Sequence, residues 1–220
     1  MNENNAEDDY RELTRRSYDA TAIDYQKNTV NLQPETKAQK FLSYLSPNSR
    51  VLDLGCGPGR DAAYFVGKGH RVVGVDISSE MISLAKHDVP QAEFIIGDIE
   101  SLGFPAEAFD AVWASASLLH VSKKAMPGVL AMLYRTLKPG GVFHVSMKQG
   151  CGEQVERDHR YGGVEKFWNY VDETELIDLL EAHGFVILEQ DTHEKSTAYQ
   201  THPWISVVCQ KLVGLQAERE

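Results

Sequence analysis

Three glycines fall within residues 55–59 of the run VLDLGCGPGRDAAYF, directly after an apolar stretch, and Asp76 follows Gly55 by 21 residues. Glycine gives up more backbone freedom on folding than any other residue. A cluster of it marks a tight turn or a close approach to the backbone. Exposed amides at the start of the helix after such a turn favour a carboxylate or a phosphate. A carboxylate closing the next strand is placed to accept from both hydroxyls of a ribose. The chemistry indicated is recognition of a nucleotide-like ligand, with Gly55 and Gly57 as close-approach positions and Asp76 as the hydroxyl acceptor. Tight helix–strand packing for the glycines, and an N-terminal cap for Asp76, are the competing explanations of the same residues.

Spacing narrows the ligand. The dinucleotide fingerprint needs glycine at the first, third and sixth places of the turn. Counted from Gly55 the sixth place is Arg60, and the third glycine comes one residue early, at Gly59. A GxxxxGK[ST] phosphate loop is absent from the sequence.

The elements that must hold this turn alternate in type. RVLDLG reads as a buried strand, GRDAAYFVGKG as a helix ending near Gly69, and HRVVGVD as the next strand. SSEMISLAKHDV is a helix with Ser78 as N-cap and Glu80 in its first turn, and AEFIIGD a third strand. FDAVWASAS is a fourth strand, MPGVLAMLYRTLKPGG gives a helix stopped by Pro139, Gly140 and Gly141, and GVFHVSMK is a fifth strand. Asp172 and Glu175 form a capping box for the helix ETELIDLLEAH, after which FVILEQD and WISVVCQKL close the chain as an antiparallel pair.

Upstream, residues 10–27 carry a helical pattern with Tyr18, Ala22 and Tyr25 on one face. A second helix begins near Pro34 and runs to Leu45, with Ala38, Phe41, Leu42 and Leu45 inward. The expected fold is α/β: a doubly wound, mostly parallel sheet with helices on both faces. The expected organisation is a tail over 1–9, a single domain over 10–213 with an N-terminal helical lid over 10–45, and a tail over 214–220. Segments 150–170 and 192–203 fit no regular element and are expected as loops over a binding site.

Bulk properties exclude several classes. The formal net charge is −10, and the basic pairs at 15–16 and 123–124 are isolated, so no stripe for nucleic acid exists. No apolar run approaches the ~20 residues of a membrane span. The acidic start MNENNAEDDY is neither a secretory nor a basic transit peptide. Cys56, Cys151 and Cys209 are widely spaced and form no CxxC pair, which fits a reducing, cytoplasmic location.

The runs VLDLGCGPGRD, VVGVDISSEMI, FIIGDIESLGF, FDAVWASASLLHV and LKPGG stand in the order and spacing of class I S-adenosylmethionine-dependent methyltransferases. Over roughly residues 14–190 the chain resembles the small single-domain members of that family. The resemblance implies a seven-stranded Rossmann-like sheet whose last strand is antiparallel. It makes Gly55 and Gly57 the floor under the methionine moiety, and Asp53 an orienting group for the loop or, through water, a contact to the amino group. It puts Asp76 on the ribose, Ile77 and Met81 on the adenine face, Asp98 on the adenine amino group and the Ile99 amide on a ring nitrogen. The Ala114 carbonyl would meet the ammonium, and Tyr18 and Tyr25 would fold over the cofactor.

Methyl transfer from a sulfonium needs alignment above all, and a base only where the acceptor must lose a proton. His120, just after the fourth strand, is the base candidate; a structural histidine is the alternative. His144, in mid-strand, is expected to be buried structure, whereas Lys148 at the strand end is better placed to face ligand. Tyr161, Trp168 and Tyr170 form an aromatic segment suited to a substrate wall. No NPPY-like tetrapeptide is present, ASAS standing in its place, and no cysteine pair for cytosine chemistry. A small-molecule acceptor remains, with a monomer or homodimer expected and no metal. An NAD(P)-binding oxidoreductase and a non-catalytic S-adenosylmethionine-binding domain are the competing functions.

Overall fold

The computed structural model describes residues 4–32, 35–193 and 202–213. Five short apolar segments, too hydrophobic to face water on either side, stack as parallel strands. These are β1 (Arg50–Leu54), β2 (Arg71–Asp76), β3 (Glu93–Ile96), β4 (Phe109–Ser115) and β5 (Leu137–Lys148). With β8 (Phe185–His193) and β9 (Trp204–Lys211) they make one seven-stranded sheet in the order β3-β2-β1-β4-β5-β9-β8. β9 runs antiparallel to both of its neighbours, as expected for the last strand.

Alternation along the strands divides the core. Leu52 and Leu54 of β1 join Val112 and Ala114 of β4 on one face. That face is covered by α5 (Met126–Thr136), whose Met126, Val129, Leu130 and Leu133 repeat at helical spacing, and by α6 (Glu173–Ala182). Val51, Ala111 and Trp113 point the other way, against Phe41 of α2 (Glu35–Leu42), Phe65 of α3 (Arg60–Gly67) and Ile82 of α4 (Ser79–Asp88). His144 lies on this second face, buried, its ring stacked 3.8 Å from that of Trp113, and neither ring nitrogen has a hydrogen-bond partner.

The caps behave as their residues dictate. Ser78 Oγ accepts from the Met81 amide at 3.1 Å, and Asp172 from the Glu175 amide at 2.8 Å. The reciprocal arm of the Asp172 box is diverted, because the Glu175 carboxylate takes the Lys123 ammonium instead.

Several boundaries differ from the sequence reading. α1 spans Asn4–Thr29, so helix begins inside the stretch expected as a tail; no glycine or proline precedes Pro34 to stop it. β5 starts at Leu137, taking in the LKPGG turn through a bulge opposite Phe109 and Ala111. Residues 150–170 are mostly not loop: β6 (Gly152–Asp158) and β7 (Val164–Tyr170) pair antiparallel as a separate hairpin. Polar, largely exposed β6 carries no apolar alternation and becomes a strand only by pairing with β7, whose Phe167, Trp168 and Tyr170 are buried. The remaining loop expectation, over 192–203, lies mostly outside the described residues, as do Pro34 and the 214–220 tail.

Strand order reverses between β1 and β4, which leaves a crevice beyond their carboxyl ends. The glycine turn after β1 and the turn after β4 border it, and α1 lies across it.

Candidate functional site

The crevice holds about 490 Å³ of empty space, counting its open mouth. Tyr18, Tyr25, Gly55, Gly57, Asp76, Ile77, Met81 and His120 all line it. Distant in sequence, they meet because β1, β2 and β4 are neighbours and end at one edge.

The glycines of the turn differ in purpose. A Cβ on Gly55 would lie 2.3 Å from Ser117 Cβ, so this glycine lets the two strand-end turns touch. A Cβ on Gly59 would press on Ala85 at 3.1 Å, which is helix packing. A Cβ on Gly57, which lines the cleft, would meet only Tyr25 Cε1 at 3.8 Å, an ordinary contact with the ring that faces it. Both Gly55 (φ 72°) and Gly57 (φ 52°) use the left-handed region, which costs other residues ~1–2 kcal/mol. Gly55→Ala adds a severe clash to that cost and is expected to lower stability by about 2–4 kcal/mol. Gly57→Ala is expected to lose only the smaller part. Thermal melting of the two variants checks the difference, and equal losses would contradict it.

Asp76 is fastened at the cleft edge. Its Oδ2 accepts from the Gly57 amide and its Oδ1 from the Ser78 amide, both at 2.9 Å. Each oxygen keeps a further lone pair. Burial pushes this carboxyl up to about 6, against the opposing pull of the Ser78 and Gly57 amides. Asp53 sits behind the turn, 2% exposed, with no hydrogen-bond partner for Oδ2. Burial, and then the Asp61 carboxylate beside it, raise its pKa well above the usual range. Asp61 itself pairs with Arg60 at 2.6 Å and accepts from Trp113 Nε1 at 2.8 Å.

His120 has a determinate tautomer. Its Nδ1 lies 2.7 Å from the Phe167 carbonyl, which only accepts, so Nδ1 carries the proton. Nε2 therefore presents its lone pair toward Tyr18 Oη, 2.8 Å away. Burial drives its pKa down to about 3, and the nearby Lys166 and Lys148 charges push the same way.

Asp53, Asp98, Ile99 and Ala114 are not among the residues that line the cleft. Asp98 caps the Glu100 amide at 3.0 Å and receives Arg11 Nη1 at 3.0 Å, so α1 occupies its second oxygen. Ile99 packs against the core cluster on the α5 side of the sheet. Ala114 is fully buried, since β4 runs one residue further to Ser115. From that turn it is Ser115, Ala116 and Ser117 that reach the cleft, with Ala116 left-handed at φ 57°. Thr14 of α1 reaches it as well. The small-residue run ASAS was the available signal for the turn; nothing local distinguishes Thr14 from other polar helix residues.

α1 closes the cleft through polar contacts. Asp19 Oδ1 accepts from Ser78 Oγ at 2.7 Å, Gln26 Nε2 donates to Asp88 at 2.6 Å, and Tyr10 bonds Glu100 and Ser122. Among the described residues no group of metal-ligating side chains is found, and no helix is long and apolar enough to cross a membrane.

A doubly wound sheet of this order, with a glycine turn and an acid at its switch point, is a Rossmann-like fold. Residues 51–141 match the family described as a methyltransferase domain. The chain is similar there to named methyltransferases. It is 35% identical over 127 residues to trans-aconitate 2-methyltransferase of Paracidovorax citrulli, covering 56% of this chain and 48% of that protein. A SAM-dependent methyltransferase of Methanosarcina mazei superposes with a TM-score of 0.72 at 25% identity, covering 82% of this chain and 98% of that one. The 1,6-didemethyltoxoflavin-N1-methyltransferase of Burkholderia thailandensis, solved with its substrate and S-adenosylhomocysteine, gives 0.75 at 24% identity over 94% of this chain and 90% of that one. The chain spans about half the length of the first two curated relatives it matches.

Proposed function

We propose that the protein transfers a methyl group from S-adenosylmethionine to a small-molecule acceptor, and that the cleft between α1 and the strand ends holds both. The observation that carries this reading is the pairing of Gly57 and Asp76. The Gly57 backbone lines the cleft, and beside it a carboxylate is held by two amides with lone pairs to spare. The Ser117 hydroxyl, buried at the cleft wall and without a partner among the described residues, adds a donor that a polar ligand can use.

In this reading Asp76 accepts from the ribose hydroxyls, and Gly55 and Gly57 form the floor. Ile77 and Met81 give the apolar wall for the purine. Tyr18 and Tyr25 close the cleft and exclude water. When bound, S-adenosylmethionine supplies an electrophilic methyl group on a sulfonium. The chain's task is to align the acceptor with it, a contribution that can amount to several kcal/mol. His120 Nε2 offers a hydrogen-bond acceptor from the wall. A histidine so hard to protonate orients an acceptor group more readily than it deprotonates one. Asp98, Ile99 and Ala114 have less support as direct contacts, because they are engaged in α1, in the core and in the sheet.

The printed acceptors of relatives range from trans-aconitate and a malonyl-carrier protein to a toxoflavin precursor, so they do not select one here. Calorimetric titration with S-adenosylhomocysteine, NAD and NADP tests the cofactor. Binding is expected with the first alone and is expected to fall at least tenfold in Gly57→Ala; binding of NAD in its place would reject the proposal. Incubation with methyl-labelled donor and a metabolite pool then identifies the acceptor.

A further inference from the structure

We infer that the methyl acceptor carries a carboxylate, and that the ammonium of Lys148, seated on Trp168 behind His120, is the group that binds it. This inference rests on the methyltransferase reading above.

Lys148 ends β5 at the carboxyl edge of the sheet, where ligands of such folds sit, and is 3% exposed. Its Nζ lies 3.2 Å from the Trp168 ring centroid and 5.8 Å from that of Tyr170, but no carboxylate within ion-pairing distance faces it among the described residues. The anions nearby are engaged. Asp158 pairs with Arg160 at 2.7 Å and with Lys166 at 3.4 Å. Glu156 accepts from Tyr170 Oη at 2.9 Å and from Gln154 Nε2 at 2.5 Å.

A buried, unpaired ammonium costs several kcal/mol, and the usual resolution is a counter-ion. Burial has already lowered the Lys148 pKa to about 8, with the Arg160 charge next in effect, which leaves it protonated at neutral pH. The Trp168 ring lies 4.7 Å from that of His120, a lining residue of the cleft, so the ammonium stands one ring behind the cleft wall. α1 packs on β7 over this group, so entry of such an acceptor requires the two to separate. Trp168 gives such an acceptor an apolar face and Lys148 gives it charge.

The test uses the full chain saturated with S-adenosylhomocysteine and melts it with aliphatic, aromatic, di- and tricarboxylates. Each is compared with its neutral methyl ester, with sulfate as a control. At least one carboxylate is expected to raise the melting temperature by several degrees while its ester and sulfate do not. Lys148→Met is expected to melt higher than the parent without ligand, because the unpaired charge is gone, and to lose the carboxylate effect. Lys148→Arg is expected to keep it. Absence of any carboxylate-specific shift, an equal shift with sulfate, or a shift that survives in Lys148→Met would each overturn the inference. If Lys148→Met does not fold, the first comparison decides alone. Titration of S-adenosylhomocysteine into the parent is read separately, and its failure counts against the methyltransferase reading itself.

Discussion

Asp76→Ala is expected to lower affinity for S-adenosylhomocysteine by roughly 100-fold or more while the protein stays folded. A hydrogen bond to a charged group contributes about 1.5–3 kcal/mol, and Asp76 is proposed to accept two from one ribose. Losing both corresponds to about 3–6 kcal/mol, or on the order of two to four decades in affinity. The substitution also frees the Gly57 and Ser78 amides, which the carboxylate now holds at 2.9 Å. The Gly57 amide stands beside the cleft, where water can replace the carboxylate, whereas Ser78 is fully buried, so the stability cost is expected to be about 1–3 kcal/mol. Asp76→Asn, keeping one acceptor, is expected to fall between parent and alanine. Calorimetric titration with a parallel urea melt separates the two effects. Unchanged affinity in a folded Asp76→Ala protein would falsify the ribose role.

The second large effect is acid lability below about pH 4 in the ligand-free protein. Burial holds His120 and His144 down to about 3 from an ordinary 6.5. Between those values the unfolded chain binds protons that the native state refuses, so each histidine's contribution is present above pH 6.5 and is lost as pH falls toward 3. At about 1.4 kcal/mol per unit this is on the order of 4 kcal/mol each. Asp76 acts oppositely. Its carboxyl is raised from 3.8 to about 6, so its contribution is present below 3.8 and lost as pH rises through 6; Asp53 is raised too.

The raised carboxyls therefore offset part of the histidine loss as pH falls from 6 toward 4, and stability is expected to decline only gently there. Below pH 4 only the histidine loss continues. The ion-paired carboxylates Asp110 and Asp158, whose pKa values are lowered against the pull of burial, add to it. A domain with 5–15 kcal/mol to lose then unfolds steeply.

His144→Phe isolates one contributor. The phenyl ring keeps the stack on Trp113 and removes two buried nitrogens without partners, so stability at pH 7 is expected to hold or rise. Between pH 6 and 4 the variant is expected to gain on the parent by about 1.4 kcal/mol per pH unit. Urea unfolding at pH 7, 5 and 4 measures this, and parallel pH profiles for the two proteins would contradict it.

Much of the architecture was legible because it depends on local periodicity. Apolar runs of strand length ending at Leu54, Asp76 and Ser115, each followed by a turn or a capped helix, allow little but a parallel sheet. Ser78 and Asp172 marked helix starts because a capping side chain acts within three residues of itself. The β6–β7 hairpin was not legible, since residues 152–158 are polar and acquire strand geometry only through a partner further along the chain. The site divides in the same way. Gly57, Asp76 and Met81 follow from the strand–turn–helix pattern that contains them.

The sequence by itself determined the doubly wound fold, the position of the glycine turn at a strand end and the acid beside it, because each is encoded within a few residues. Only the tertiary structure decided which glycine clears Ser117, which clears Ala85 and which faces Tyr25 across the cleft. It also decided that Asp98 is held by Arg11 while Tyr18 bonds His120. The sequence places Lys148 at a strand end where it is expected to face ligand, but only the packing of a distant hairpin leaves its ammonium buried with no counter-ion among the described residues. Burial and pairing at long range are properties of the assembled surfaces, and they set the electrostatics on which ligand choice depends.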